Sequence, residues 1–144
     1  MSNKQTKEKI IAFGHENVQA VHPSTLMFTK EKYLSNNGDC IIAVAADKAL
    51  SDLNPTFKAM LKKPEAKLTM IIEVDGLTEE INSFGSPLLI LTHSKDVVVR
   101  KSGYISDRTL AIQADKSSND LARELIEKLK NPKQKINITL IVDG

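Results

Sequence analysis

The sequence predicts an α+β fold built from one ββββαβ unit that occurs twice. Three observations support this prediction: the chain aligns with itself, short apolar runs are bounded by Gly, Pro, Asn and Ser, and each half holds one segment with helical spacing. We expect the two copies to pair about a pseudo-two-fold axis, in one shared, mainly antiparallel sheet system or barrel with two helices. Residues 1–144 then form a single domain with repeats at about 5–76 and 77–144.

The self-alignment is the strongest evidence for the repeat. Residues 46–76 align with residues 114–144 without a gap and are identical at twelve positions. Average residue usage gives about two matches by chance over such a length. Residues 10–35 align in the same way with 81–106, once the tripeptide "NNG" at 36–38 of the first copy is left out.

Each copy begins with four segments of strand character. They read KIIAFG, NVQAVH, TLMFTKE and DCIIAVAA in the first copy, and EEINSFG, PLLILTH, DVVVRKS and DRTLAIQA in the second. A last strand, KLTMIIEV or KINITLIV, ends each copy. If strands two to four form an antiparallel meander, "GHEN" at 14–17 and "NNGD" at 36–39 meet at one end, and His22 meets Asp47 at the other.

One helix precedes the last strand of each copy. In the second copy, Ser117 is the predicted N-cap with Asp120 near N3, and Leu121, Leu125 and Leu129 recur at helical spacing. In the first copy the pattern is interrupted, because Asn54-Pro55 is typical of a new N-cap followed by proline at N1.

Composition and charge favour a soluble cytoplasmic protein. The chain is 41% hydrophobic and 26% charged, with a net charge of +2. Cys40 is the only cysteine, so an internal disulfide and a four-thiolate zinc site are excluded. The polar N-terminus lacks the pattern of a secretory signal, and the apolar runs fall short of the ~20 residues that span a bilayer.

Polar residues present in only one copy are the first candidates for function. His15 and Glu16 of "GHEN" are candidates for a general base and its orienting carboxylate, with Asn17 beside them; the alternative is a polar turn. Asp39 is a second candidate partner for His15. Cys40 is a nucleophile only if an imidazole lies next to it, and is otherwise a buried strand residue.

Other candidates occur in both copies. His22 with Asp47 and His93 with Asp115 are either imidazoles held by carboxylates or repeated structural bonds. Asp47-Lys48 and Asp115-Lys116 precede helix starts, which suits either an anion or a plain helix cap with a surface lysine. Arg108 adds a further candidate, because with Arg100 and Lys101 it forms either an anion-binding patch or a solvated strand edge.

No metal site or cofactor is predicted. His15 and His22 are seven residues apart, about 20 Å in an extended strand, so they cannot bind one metal within a copy. The chain also lacks the glycines of a P-loop.

The motifs "GHENVQAVHPSTLMFTKE", "GDCII" and "VVVRKSGYISDRTLAIQADK" resemble an archaeal family of conserved proteins, domain-of-unknown-function family 371. The resemblance covers essentially the whole chain. It implies an archaeal cytoplasmic protein with many strands and few helices, and it implies no activity. The family pattern includes Gly14, His15, Glu16, Asn17, His22, Asp39, Arg108, Asp115 and Lys116.

We therefore expect a binding module that holds a small anionic ligand or a nucleotide in a cleft between the repeats. The first alternative is a hydrolase-like enzyme that uses His15 with Glu16 or Asp39. The second is an RNA-binding or assembly protein; aromatic residues make up only 4% of the chain, which makes RNA the weaker choice, and sheet edges would serve a homo-oligomer. No membrane association is expected.

Overall fold

A computed structural model describes residues 5–34 and 38–143. It contains eight strands and two α-helices in these residues, each helix preceded by a 3-10 helix, at Leu50–Asp52 and Ser118–Asp120. The strands are β1 (Gln5–Phe13), β2 (Thr25–Thr29), β3 (Ile41–Ala43), β4 (Lys67–Val74), β5 (Leu77–Phe84), β6 (Asp96–Arg100), β7 (Thr109–Ala111) and β8 (Lys135–Asp143). The helices are α1 (Pro55–Leu61) and α2 (Arg123–Leu129).

The strands form two four-stranded sheets, so the α+β class is confirmed. The first sheet has the order β1-β8-β4-β5 and is antiparallel throughout. The second has the order β3-β2-β6-β7; its central pair β2–β6 is antiparallel, whereas β2–β3 and β6–β7 are parallel. The predicted meander of strands two to four is therefore wrong. Its premise fails because β2 and β3 run in the same direction and the antiparallel neighbour of β2 is β6 from the other half.

The two sheets meet at single bridges without closing into a barrel. Isolated bridges join Phe13 to Val44 and Phe84 to Ile112, and no further ladder connects the sheets in the described residues. The barrel prediction is therefore wrong, and in place of the one shared sheet system that was the alternative, the strands form two separate four-stranded sheets.

One hydrophobic cluster joins the sheets and the helices. In β8, for example, Ile136, Ile138, Leu140 and Val142 are buried at every second position, which is the pattern of a strand with one face on a core. α1 packs against β1 and β8, and α2 packs against β3 and β4. None of the helices among the described residues is long and apolar enough to cross a membrane.

The predicted second strand of each copy is wrong. The segments NVQAVH and PLLILTH do alternate in burial, with Val18, Ala20, Leu89 and Leu91 at most 2% exposed. Ala20 and Leu91 nevertheless adopt positive φ angles of 52° and 58°, which are incompatible with a strand. The alternating apolar residues correctly indicated which side chains are buried. The backbone, however, turns too sharply at these positions to pair with a neighbouring strand.

The helix prediction was correct for the first copy and partly wrong for the second. Asn54 caps α1 by accepting a hydrogen bond from Thr56 N, with Pro55 at N1. Ser117 and Asp120 form a capping box, but around the short 3-10 helix. Leu121 then adopts an extended conformation (ψ 146°), so α2 begins afresh after Ala122. The interruption predicted for the first copy alone therefore occurs in both.

Candidate ligand site at the seam of the second sheet

Ala-Asp-Lys of the first half fastens the segment before α1 to strand β1. Asp47 Oδ1 accepts a hydrogen bond from Ile11 N at 3.0 Å, and Lys48 Nζ lies 2.9 Å from Glu8 Oε1. The second oxygen of Glu8 accepts from Asn54 N, at the start of α1. We call these contacts among Glu8, Ile11, Asp47, Lys48 and Asn54 the first clasp.

Ala-Asp-Lys of the second half makes the same contacts with β5. Asp115 Oδ1 accepts from Asn82 N at 2.9 Å, Lys116 Nζ lies 2.9 Å from Glu79 Oε1, and Glu79 Oε2 accepts from Ala122 N at 2.6 Å. The hydrogen bond that Lys116 donates to Glu79 raises the pKa of Lys116 above its ordinary value. These five residues are the second clasp.

The clasps give the aspartates and lysines a role other than the predicted ones. Neither aspartate caps a helix through its side chain, since each accepts from a strand amide. Each lysine is paired to a glutamate that the sequence analysis missed. Glu8 and Glu79 are equivalent positions if the alignment of residues 10–35 with 81–106 is extended upstream. This equivalence is the sequence signal that could have identified the two glutamates.

His22 and His93, which occupy aligned positions in the two halves, organise the turns that precede β2 and β6. His22 Nδ1 accepts hydrogen bonds from Ser24 N and Thr25 N, both at 3.1 Å. His93 Nδ1 accepts from Lys95 N and Asp96 N at 3.2 and 2.9 Å. In both turns the accepting nitrogen is Nδ1, which leaves Nε2 as the nitrogen that can donate. These amide bonds, and those of Asp47 and Asp115 to strand amides, take the place of the predicted His–Asp pairs.

The "GHEN" segment packs under the end of α2. A side chain at Gly14 would place Cβ 2.3 Å from Asn131 O, and His15 N donates to Leu129 O at 2.9 Å. His15 Nδ1 accepts from Asn17 N at 3.0 Å, while Asn17 Nδ2 donates to Leu34 O at 2.8 Å. This is a polar turn, the alternative weighed for these residues.

The second half builds the same junction without a histidine. A Cβ on Gly85 would lie 1.9 Å from Leu61 O, and Ser86 N donates to that oxygen at 3.1 Å. Ser86 Oγ accepts from Leu88 N, as His15 Nδ1 does from Asn17 N. The backbone role of "GHEN" is therefore structural, and only the outer edge of the His15 ring is uncommitted.

The predicted partners of His15 lie beside other groups. Asp39 O accepts from Val21 N and His22 N, so this half-buried residue adjoins the His22 turn. Glu16 is exposed. Within residues 5–34 and 38–143, no hydrogen bond joins His15 to Glu16, Asp39 or Cys40. Asn36 and Asn37 of the "NNGD" motif lie outside the described residues.

Cys40 is half-buried at the start of β3. Burial raises the pKa of its thiol. A hydrogen bond with Thr25 opposes this, the nearby charge of Asp39 adds to it, and the charge of Arg108 has a smaller lowering effect. A thiol with a raised pKa is protonated at neutral pH and is a weak nucleophile. The arrangement does not activate Cys40.

A face with mixed polar and apolar side chains lies where the two halves of the second sheet meet; its ends are partly exposed and its middle is buried. In the β2–β6 ladder, Thr25 faces Arg100, Met27 faces Val98 and Thr29 faces Asp96. Side chains alternate between sheet faces, and the intervening Leu26, Phe28, Val97 and Val99 belong to the core. We call the opposite face, which carries the three facing pairs, the seam face.

Arg108 reaches across the seam face from the start of β7. Its Nη2 donates to Met27 Sδ at 3.2 Å, and its Nε lies 3.0 Å from Asp96 Oδ2. The Nε–Oδ2 contact is an ion pair without hydrogen-bond geometry, so the buried Nε–H has no hydrogen-bond acceptor within the described part of the chain. Asp96 Oδ1 also accepts from Thr29 Oγ1 at 2.8 Å.

Arg100 is the second guanidinium on this face. Its Nε donates to Thr109 Oγ1 at 2.9 Å, its Nη2 donates to Ser106 Oγ at 3.2 Å, and the group lies over the Tyr104 ring at 5.0 Å. Burial lowers the pKa of Arg100, and the nearby positive charge of Arg108 lowers it further. Among the described residues, no carboxylate lies within ion-pair distance of Arg100.

A cavity of about 250 Å³ opens beside Asp96. Its polar lining comes from Thr29, Glu31, Tyr33 and Asp96, and its apolar lining from Met27, Leu34 and Ile41. Glu31 is 3.4 Å from Lys95 Nζ on the exposed side. The volume lies just below the roughly 300–1,000 Å³ typical of small-molecule sites. It suits a ligand the size of an amino acid or a nucleobase.

The structure thus unites a different set of residues from the predicted one. Of the candidates, Arg108 and Arg100 share the seam face, whereas Lys101 pairs with Asp120 at 2.7 Å. Thr29, Glu31, Tyr33 and Asp96 were missed, because a cavity formed across β2 and β6 leaves no local motif in the sequence. The described part of the chain contains no group of three or more His, Cys, Asp or Glu residues that could hold a metal ion.

Comparison with known proteins agrees with the resemblance seen in the motifs. The chain is 46% identical over 127 residues to an uncharacterized protein of the archaeon Methanocaldococcus jannaschii, which covers 88% of this chain and 93% of that protein. The model of a family described as a domain of unknown function, DUF371, matches residues 10–143. The chain belongs to the DUF371 family.

Proposed function

We propose that this protein is a binding module for a small anionic ligand, such as a nucleotide, held at the seam between two repeats. The observation that carries the proposal is the pair of guanidinium groups on the seam face, one of which, Arg108, contacts Met27 and Asp96 of the cavity lining. Among residues 5–34 and 38–143, Arg100 has no carboxylate partner, and the buried Nε–H of Arg108 has no hydrogen-bond acceptor. Of the two positive charges on this partly desolvated face, Asp96 balances one, and a bound anion balances the other.

The proposal includes an origin by duplication, with the halves related by a pseudo-two-fold axis. Three repeated contacts support it: the two clasps, the two histidine turns, and the two glycines packed under the end of the opposite helix. Each occurs at aligned positions. The seam face then lies between the repeats, where a single ligand contacts both.

Inorganic phosphate and AMP, titrated by calorimetry, test the proposal with Arg108→Gln. We expect wild type to bind both and the variant to lose at least about tenfold in affinity, because a charge-assisted hydrogen bond is removed. Lys130→Gln is the matched control: it removes one exposed cation that pairs with Glu127 on α2, and affinity should not change. Absence of binding, or equal loss in both variants, contradicts the proposal.

A cytoplasmic location of the protein stays a prediction. A monomer or a homo-oligomer is equally able to present the seam face, and light scattering distinguishes them.

A further inference from the structure

The seam face is not symmetric, although the residues around it align in pairs. Thr29 in the first half aligns with Arg100 in the second, and Tyr33 aligns with Tyr104. Glu31 and Asp96 align with the uncharged Ser102 and Thr25. On the side of the seam that holds the cavity, the short Thr29 and the carboxylates of Glu31 and Asp96 therefore correspond to a long cation and two hydroxyl groups on the other side. Asp96 comes from the second half of the chain and Thr25 from the first.

Arg100 occupies its own side of the seam. Its guanidinium bonds to Thr109, which aligns with Ile41 of the cavity lining, and it lies over Tyr104, the counterpart of the cavity residue Tyr33. In the first half, Thr29 ends at its hydroxyl, which bonds to Asp96. The corresponding space is the open cavity of about 250 Å³.

We infer that this cavity accepts a planar, nitrogen-rich group of the guanidinium type, carried by the same ligand whose anionic group binds Arg108. The inference rests on the proposed function and specifies its ligand. In the second half, the space equivalent to the cavity is filled by the guanidinium of Arg100, which is a flat array of N–H donors beside a tyrosine ring. The open cavity should accept a group of the same kind. In the open cavity, Asp96 and Glu31 supply the acceptors.

The two carboxylates beside the open cavity have a physical reason. Arg100 is tethered to the chain, so the hydroxyl groups of Thr109 and Ser106 suffice to hold it. A free ligand loses translational and rotational freedom on binding and needs stronger contacts. Carboxylates accept charge-assisted, two-point hydrogen bonds from planar N–H groups, which neutral hydroxyls cannot match. Two classes of ligand combine a planar row of N–H donors with an anionic group: guanidino amino acids, and nucleotides with a 2-amino purine base.

Two matched pairs of probes test the inference and distinguish these sources. L-arginine is compared with L-citrulline, which replaces the guanidinium by a neutral urea, and GMP is compared with IMP, which lacks the exocyclic amine. We expect at least about tenfold tighter binding of the N–H-rich member in one of the pairs, with a stoichiometry of one per chain. The pair that discriminates identifies the source.

Two variants connect the preference to the cavity. Thr29→Arg places the counterpart side chain in the open space and should abolish binding of the preferred probe, while Thr78→Arg, the same change at an exposed position of β5, should leave it unchanged. Glu31→Gln should reduce the preference within the pair to less than about threefold. This second variant changes neither size nor core packing, so it remains informative if Thr29→Arg unfolds.

The outcomes separate the two proposals. If phosphate binding depends on Arg108 but neither pair discriminates, the inference is wrong and the anion site stands. If Glu31→Gln leaves the preference intact, the group binds elsewhere and the inference fails as well. If phosphate binding does not depend on Arg108, the proposed function itself fails.

Discussion

The clasps have the same charged residues in both halves of the chain, whereas the seam face has different residues at its aligned positions. Both clasps contain the same aspartate, lysine and glutamate, with distances that agree within 0.1 Å for the aspartate bonds and the ion pairs. On the seam face the aligned positions differ in size and charge, as Thr29 and Arg100 illustrate. The contacts that occur in both halves stabilise the fold, and the candidate site lies where the aligned residues differ.

This difference also separates structural charge from charge available to a ligand. Glu8 and Glu79 have side chains only 8% and 12% exposed, and each is satisfied by a lysine and a backbone amide. Arg100 and Arg108, in contrast, have neutral or incomplete partners. Variants in the clasps should therefore change stability, and variants on the seam face should change binding.

The largest loss of stability is expected at the glycines beneath the helix ends. Gly85→Ala forces a methyl group against Leu61 O and should lower the free energy of unfolding by about 3 kcal/mol, with Gly14→Ala close behind. Gly76→Ala is the control, because its φ of 81° is strained but nothing lies within 4 Å; about 1 kcal/mol is expected. Urea denaturation gives all three values, and a larger cost at Gly76 would contradict the packing described here.

Glu8→Ala and Glu79→Ala should each cost about 2 kcal/mol. Either change leaves a lysine and a helix-start amide without their acceptor. Equal values in the two halves would sharpen the comparison, since they would show that the clasps are energetically equivalent. A variant as stable as wild type would show that its clasp is dispensable.

A smaller, pH-dependent effect is expected at Asp120. Its pKa falls to about 2, first because of the hydrogen bond with Lys101 and then because of the amide of Ser117. A depressed carboxyl pKa stabilises the fold above the unfolded value of 3.8, and this contribution disappears as the pH falls toward 2. Because the side chain is 38% exposed, we expect less than about 1 kcal/mol.

Asp120→Asn should remove that pH dependence. Its unfolding free energy should approach that of wild type as the pH falls from about 4 to 2 in acid denaturation monitored by circular dichroism. Asp52→Asn removes the corresponding carboxylate of the first half, whose pKa is lowered first by the amide of Ala49. A gap between wild type and Asp120→Asn that widens on acidification would refute the assigned ion pair.

The smallest effect is expected at Cys40. Because burial raises its pKa, iodoacetamide should alkylate it at pH 7.5 more slowly than a free thiol in the unfolded chain. Cys40→Ser should change phosphate affinity by less than about twofold. Rapid alkylation of the folded protein would instead indicate an activated thiol and revive the enzyme hypothesis.

Much of the fold was predictable because it follows from local patterns. Strands β4 and β8 were recognised from alternating apolar residues, and α1 from Asn54-Pro55. The β2–β6 pairing was not predictable in the same way, since it joins strands about 70 residues apart. The cavity depends on that pairing, so of its surroundings only the arginines were anticipated, as members of a basic patch.

Comparing the two copies gave a different ranking of the candidates from the contacts in the structure. Asp47-Lys48 and Asp115-Lys116 were candidates for an anion site, and in both halves they fasten helix starts to strands. His15 was ranked first because it occurs in one copy only, and its hydrogen bond is reproduced by Ser86 in the other. Sequence difference does not imply a difference of role where two side chains supply the same acceptor.

The central claim is that the seam face binds ligand and the clasps do not. A ¹H–¹⁵N NMR titration of the wild-type protein with GMP tests it most directly. We expect shifts that saturate and are confined to amides of the seam segments 27–34, 96–100 and 106–109, with the clasp amides at 8–11, 47–48, 79–82 and 115–116 unchanged. Shifts centred on the clasps, or none up to millimolar GMP, phosphate and L-arginine, would contradict the claim.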